Sequence, residues 1–134
     1  MPSDLHIPHG DMQLKVTRSK AFNLDNGAGA TLDDCILRHT KAIQPVAAQI
    51  VYSDATTGTV AGGNAKIGTT VAGAEVVAAT AYENTKAVGT ATALTLASMA
   101  VIPAGTPIIV RHTGVAVTQA GEAYVEFFYR VLGD

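Results

Sequence analysis

Charge is scarce in the middle of this 134-residue chain. Residues 42–110 hold five charged side chains (Asp54, Lys66, Glu75, Glu83 and Lys86), against ten in residues 1–41 and five in residues 111–134. A catalytic centre is assembled from clustered titratable and nucleophilic groups, and this stretch supplies no such cluster. Tryptophan is absent and aromatics make up 5% of the residues, which argues against a carbohydrate-binding groove built on exposed rings. One cysteine, Cys35, cannot close an internal disulfide, so the fold does not depend on an oxidising compartment. The nine basic residues are scattered and the net charge is −2, which removes the electrostatic case for nucleic acid. No run of 18 apolar residues occurs, and the first ten residues carry Asp4, Pro2 and Pro8 in place of a basic and then apolar leader. The sequence therefore predicts no membrane span, no signal peptide, and a soluble chain made in a cytoplasm.

What is present is alanine, glycine, threonine and valine in short alternating runs, broken at Gly62-Gly63-Asn64 and Pro103-Ala104-Gly105. Strand patterns recur every 8 to 12 residues, the spacing of an all-β sandwich or barrel. Asp11 to Thr17 alternates, with Met12, Leu14 and Val16 on the face expected to be buried. Asn23 to Gly29 reads as a loop. Thr31 to Lys41 is ambiguous: Thr31 and Asp34 resemble a capping box, so a helical turn at 31–35 is expected before a strand from Ile36. Further strands are expected in Val46 to Tyr52, Asn64 to Val71, Glu75 to Tyr82, Ala87 to Leu96, Pro107 to Val117 and Glu122 to Leu132. A turn-rich segment fills Asp54 to Gly63, a helical turn is placed at Ser98 to Ala100, and a tight turn at Pro103 to Gly105. In the last strand Val125, Phe127, Tyr129 and Val131 share one face, and Tyr124, Glu126, Phe128, Arg130 and Leu132 the other. The fold class is all-β: a jelly-roll or related Greek-key β-sandwich of about eight strands with an extended N-terminal arm. Residues 1–10 form the arm and residues 11–134 a single sandwich domain. With few aromatics, the core is expected to rest on Val, Ile, Leu and Ala, giving modest stability that association would increase.

Candidate chemistry is thin. His6 and His9 flank Pro8 and would face one way in a polyproline-like arm, but two ligands do not make a metal site, and an exposed arm explains them better. Cys35 and His39 are about 13 Å apart if their segment is a strand, too far for proton transfer, and free cysteines are usually buried and inert. His112 shares a strand face with Ile108 and Val110, as a hydrogen-bonded core histidine would. Asp33 and Asp34 are adjacent, so a strand points them to opposite faces. The glycines of residues 58–68 lack the Gly-Lys-Ser or Gly-Lys-Thr ending of a phosphate loop and read as turn and close-approach positions. No catalytic residue, metal or cofactor is expected.

Four segments carry a resemblance: Lys66-Ile67-Gly68-Thr69-Thr70, Glu75-Val76-Val77-Ala78-Ala79-Thr80, Val101 to Val110, and Gly121 to Tyr129. Together, over about residues 43–132, the chain resembles small tailed-bacteriophage virion proteins, jelly-roll or related sandwiches that bind outside a capsid shell as cement or decoration proteins. The resemblance implies a non-enzymatic virion protein on the outer capsid surface, made in the host cytoplasm. Its implied partners are the major capsid protein and a second copy of itself, as a homodimer or alternatively a trimer. A head-fibre base or a tail or baseplate part is the alternative within the virion, and a carbohydrate-binding sandwich the alternative outside it. The residues expected to meet a partner are Ile7, Pro8 and His9 of the arm and Tyr124 and Phe128 of the last strand.

Overall fold

The computed structural model describes residues 13–133, which form nine β-strands in two antiparallel sheets and no helix. In chain order the strands are β1 (Leu14–Arg18), β2 (Phe22–Asn23), β3 (Thr31–Arg38), β4 (Ile43–Thr57), β5 (Asn64–Gly68), β6 (Val77–Ala81), β7 (Ala91–Leu94), β8 (Pro107–Thr113) and β9 (Ala120–Val131). One sheet runs β1-β9-β4-β7, with β2 also on β9, and the other runs β3-β8-β5-β6.

The pairings are nested. First pairs with last (β1 and β2 with β9), then β3 with β8, β4 with β7, and β5 with β6. The chain is thus one long antiparallel hairpin rolled into two layers, the arrangement of a jelly roll. Because β1 and β2 are two pieces of one split strand on β9, the count reduces to the eight expected.

Side-chain alternation explains the layering. On β9, Ala123, Val125, Phe127, Tyr129 and Val131 are buried while Tyr124, Glu126 and Phe128 are only partly so, and on β8 Ile108, Val110 and His112 point inward. The core departs from the small-residue expectation: the few aromatics are concentrated in it, with Phe22, Tyr52, Tyr82 and Phe127 almost wholly buried among Leu24, Ile50, Ile67 and Val77. Gly63, just before β5, allows a close approach to the neighbouring β8 of the same sheet, since a Cβ there would lie 2.6 Å from the Thr113 carbonyl oxygen.

Four local expectations are corrected. Residues 31–35 are not a helical turn but the start of β3, because the ladder from Thr31↔Thr113 to Cys35↔Ile109 satisfies more backbone groups than one turn of helix would. Residues 98–100 are likewise not helical. The strand expected from Val46 begins at Ile43 and runs through Pro45, which sits beside a β-bulge where a ladder donor is not required. On β1 the apolar side chains face outward, for Leu14 and Val16 lie opposite Arg130 and Phe128 on the outer side of β9. The inner side is taken by Lys15 and Thr17 at the sandwich margin, where the Thr17 hydroxyl donates to the Ile36 carbonyl at 2.8 Å.

His112 is a core histidine, as its strand face predicted. Its ring stacks on Phe22 at 5.1 Å, the Tyr82 hydroxyl donates to Nδ1 at 2.6 Å, and Nε2–H donates to the Asn26 side-chain oxygen at 3.0 Å. Those partners suit the neutral ring. Burial pushes the His112 pKa down to about 4, partly opposed by the backbone of Asn23. Between the unfolded value of about 6.5 and pH 4 the unfolded chain binds a proton that the folded chain refuses. The melting temperature should therefore be fully developed above pH 6.5 and fall as the pH drops toward 4. Calorimetry across that range checks this; His112→Gln should melt lower at pH 7 and show a flatter profile.

Candidate interaction face

The outer side of the five-stranded sheet combines apolar and aromatic side chains on a rigid frame. Antiparallel register sets Leu14, Val16 and Arg18 of β1 across from Arg130, Phe128 and Glu126 of β9. Across the other side of β9, the same three residues meet Gln44, Ala47 and Gln49 of β4, and Tyr124 meets Val51. Ala91 and Ala93 of β7 extend this side beyond Val51 and Gln49. Leu14 is 52% exposed and Val16 49%, an apolar pair that a strand normally turns inward.

The polar groups of this face hold one another. The Glu126 carboxylate accepts from Arg18 Nη2 at 2.9 Å and from Gln49 Nε2 at 2.7 Å, and its side chain is 12% exposed. The Arg18 guanidinium also lies over the Tyr124 ring, 4.9 Å from its centroid. Farther along, the Ser53 hydroxyl donates to Glu122 at 2.9 Å. A partner approaching this face meets polar groups already oriented and apolar groups already in place, which lowers the entropy lost on docking.

The opposite sheet presents a different surface. Arg111 Nε and Nη2 donate to the two Asp33 carboxylate oxygens, both at 2.8 Å. That bidentate pair holds the Asp33 carboxyl below its usual pKa, and Lys66 adds to the effect. At one end of the sandwich a cavity of about 240 Å³ lies between Pro45, Val76, Val101 and Ile102, with Glu75 at its margin. The Glu75 carboxyl is also lowered, chiefly by the Thr69 N–H that it accepts at 2.9 Å, and it ties its own loop together rather than pointing a free charge outward.

Tyr124 and Phe128 lie on the aromatic outer face, where alternation placed them. Ile7, Pro8, His9 and His6 fall outside the described residues. Cys35 and His39 do not form a pair: Cys35, exposed rather than buried, directs Sγ to the Leu37 carbonyl at 3.8 Å, while His39 Nδ1 accepts from the Lys41 N–H at 3.0 Å. Asp33 and Asp34 diverge as expected, one to Arg111 and the other to the Lys20 N–H. Among the described residues no three potential metal ligands cluster. Sequence reasoning missed Leu14, Val16, Arg18 and Gln49 as members of this face. The alternation of β1 was visible; its direction is set by the register with β9.

No family model matches the chain, and no curated protein does. Among solved structures, the fold is similar to a chain in the cyanophage Pam1 capsid asymmetric unit. The TM-score is 0.67 at 9% identity, over 98% of this chain and 94% of that one. At this identity the likeness is one of fold, and its coverage means that the two chains have nearly the same length.

The two faces of β9 give a direct contrast. Phe127→Ala should cost about 3–5 kcal/mol of stability, the range for emptying a core aromatic site. Phe128→Ala, on the outer face, should cost well under half of that in the same urea titration.

Proposed function

We propose that the protein is a structural component of a phage virion that binds the outside of the capsid and cements or decorates adjacent major capsid protein subunits. The observation that carries this reading is the near full-length similarity to a chain of similar size in a capsid asymmetric unit. The outer face of the five-stranded sheet supports it, because a preorganised sheet face with aromatic and aliphatic side chains suits protein contact. In this reading Phe128, Tyr124 and Val16 meet the coat, the protein is a homodimer rather than a trimer, and no catalytic step is assigned to it. Its site of action is the head surface after synthesis in the host cytoplasm.

Quantitative mass spectrometry of gradient-purified particles tests this. Hundreds of copies per particle in a simple ratio to the major capsid protein are expected, whereas a few dozen or fewer would reassign it to a fibre, tail or vertex. Absence from particles would reject the virion reading. Phe128→Glu should lower the particle-bound copy number about tenfold or more while leaving the melting temperature nearly unchanged, as expected for a central contact residue that is not in the core.

A further inference from the structure

We propose that the cavity at the end of the sandwich receives a lysine side chain of the coat protein, with its aliphatic stem between Pro45, Val76, Val101 and Ile102 and its ammonium on the Glu75 carboxylate. The coat as the source of that lysine rests on the function proposed above; the chemistry of the site does not.

The walls are preformed. Ile102 and Ile43 exchange backbone hydrogen bonds of 2.9 and 3.0 Å, which pins the segment between β7 and β8 to β4. The Ala97 N–H donates to the Val76 carbonyl at 2.7 Å, which ties the same segment to the end of the β5–β6 loop. At about 240 Å³ the cavity is smaller than the roughly 300–1,000 Å³ of sites that enclose a whole small molecule, and it suits one inserted side chain. Val101 in its wall is 50% exposed, so apolar surface there is open to a partner. Pockets filled by one partner side chain are where binding energy concentrates.

The carboxylate at the margin is built into place. Glu75 Oε1 accepts from the Thr69 N–H at 2.9 Å, and Oε2 from the Thr70 hydroxyl at 3.1 Å. Two glycines make room for it: a Cβ on Gly68 would lie 2.6 Å from Oε1, and one on Gly73 closer still. Both donors are neutral, so they fix the carboxylate without cancelling its charge. Among the described residues no Lys, Arg or His forms an ion pair with Glu75. Hydrogen bonds, first that of the Thr69 N–H, hold its carboxyl low with no neighbouring cation contributing.

A fixed anion beside an apolar slot is complementary to a cation carried on an apolar stem. An ammonium, a compact point charge, needs one remaining lone pair. A guanidinium fork would need both oxygens, each of which already accepts a bond. Among the described residues no three potential ligands cluster, so a metal ion is not the cation this margin suits.

Titration of the full-length chain at pH 7 with n-butylammonium chloride, and separately with 1-butanol, tests the site through the amide NMR signals of Thr69, Val76 and Ile102. Butylammonium should bind at least about threefold more tightly than butanol, in the range of an exposed ion pair. Glu75→Gln keeps an oxygen for the Thr69 N–H, so it should melt nearly unchanged yet bind the two probes equally. Val101→Ser should weaken both probes alike and preserve the preference. Equal affinities in the unaltered chain, or a preference that survives Glu75→Gln, would overturn the site. On particles, Glu75→Gln should lower the bound copy number at least threefold, and an unchanged number would overturn a coat lysine as the occupant. Absence of the unaltered chain from particles would reject the virion reading and the coat as source, whereas the butylammonium measurement reports on the site alone; the two failures are therefore distinguishable.

Discussion

Two long strands, β4 and β9, run antiparallel through the middle of the five-stranded sheet, and their register from Ile43↔Val131 to Thr57↔Ala120 governs what every other element can do. The ladder satisfies backbone groups that burial would otherwise leave costly, and it fixes which side of each strand faces the second sheet. Ile50, Tyr52, Val125 and Phe127 are committed inward by that register, and Gln49, Val51, Glu126 and Phe128 outward. Bulges beside Pro45, Tyr52 and Asp54 accommodate the long strand without a register slip that would exchange the two sides.

The outer surfaces of the two sheets follow different physical logic. Around Arg111 and Asp33 the charges satisfy one another bidentately and remain near solvent, where such a pair adds little stability. Around Glu126 the carboxylate is mostly covered, held by Arg18 and Gln49, with an aromatic ring beneath the guanidinium. The second arrangement leaves Leu14 and Val16 accessible at the β1 margin beside an Arg18 whose charge is already partnered. That contrast makes the five-stranded sheet the better candidate for contact with another protein.

Much of this was readable from residues alone, and the failures have a common cause. The two sides of β9 and the inward His112 were legible because their strands alternate strongly over many positions. Tyr124 and Phe128 were legible as outward for the same reason. The direction of β1 was not, since five residues with two apolar side chains carry too little bias to overrule the register imposed by β9. Thr31 to Asp34 carried helix-capping residue types, yet pairing with β8 outweighed a weak local preference. Arg18 and Gln49 could not be assigned to the face at all, because they meet Glu126 only through contacts between distant segments. The few aromatics foretold a thin core, but composition does not say where rings go, and most of them went inside.

The nesting of first strand with last has a consequence for how the protein comes into being. Leu14 finds its place only beside Arg130, and Phe22 only beside Ala123, so the contacts that complete one sheet span nearly the whole chain. Folding dominated by such distant pairings is slow compared with helical domains of equal size. A ribosome adding about 5–20 residues per second must pass Val131 before the whole of β9 is available. Until then β4, the longest strand, lacks its principal neighbour, and the earlier strands wait on the last one.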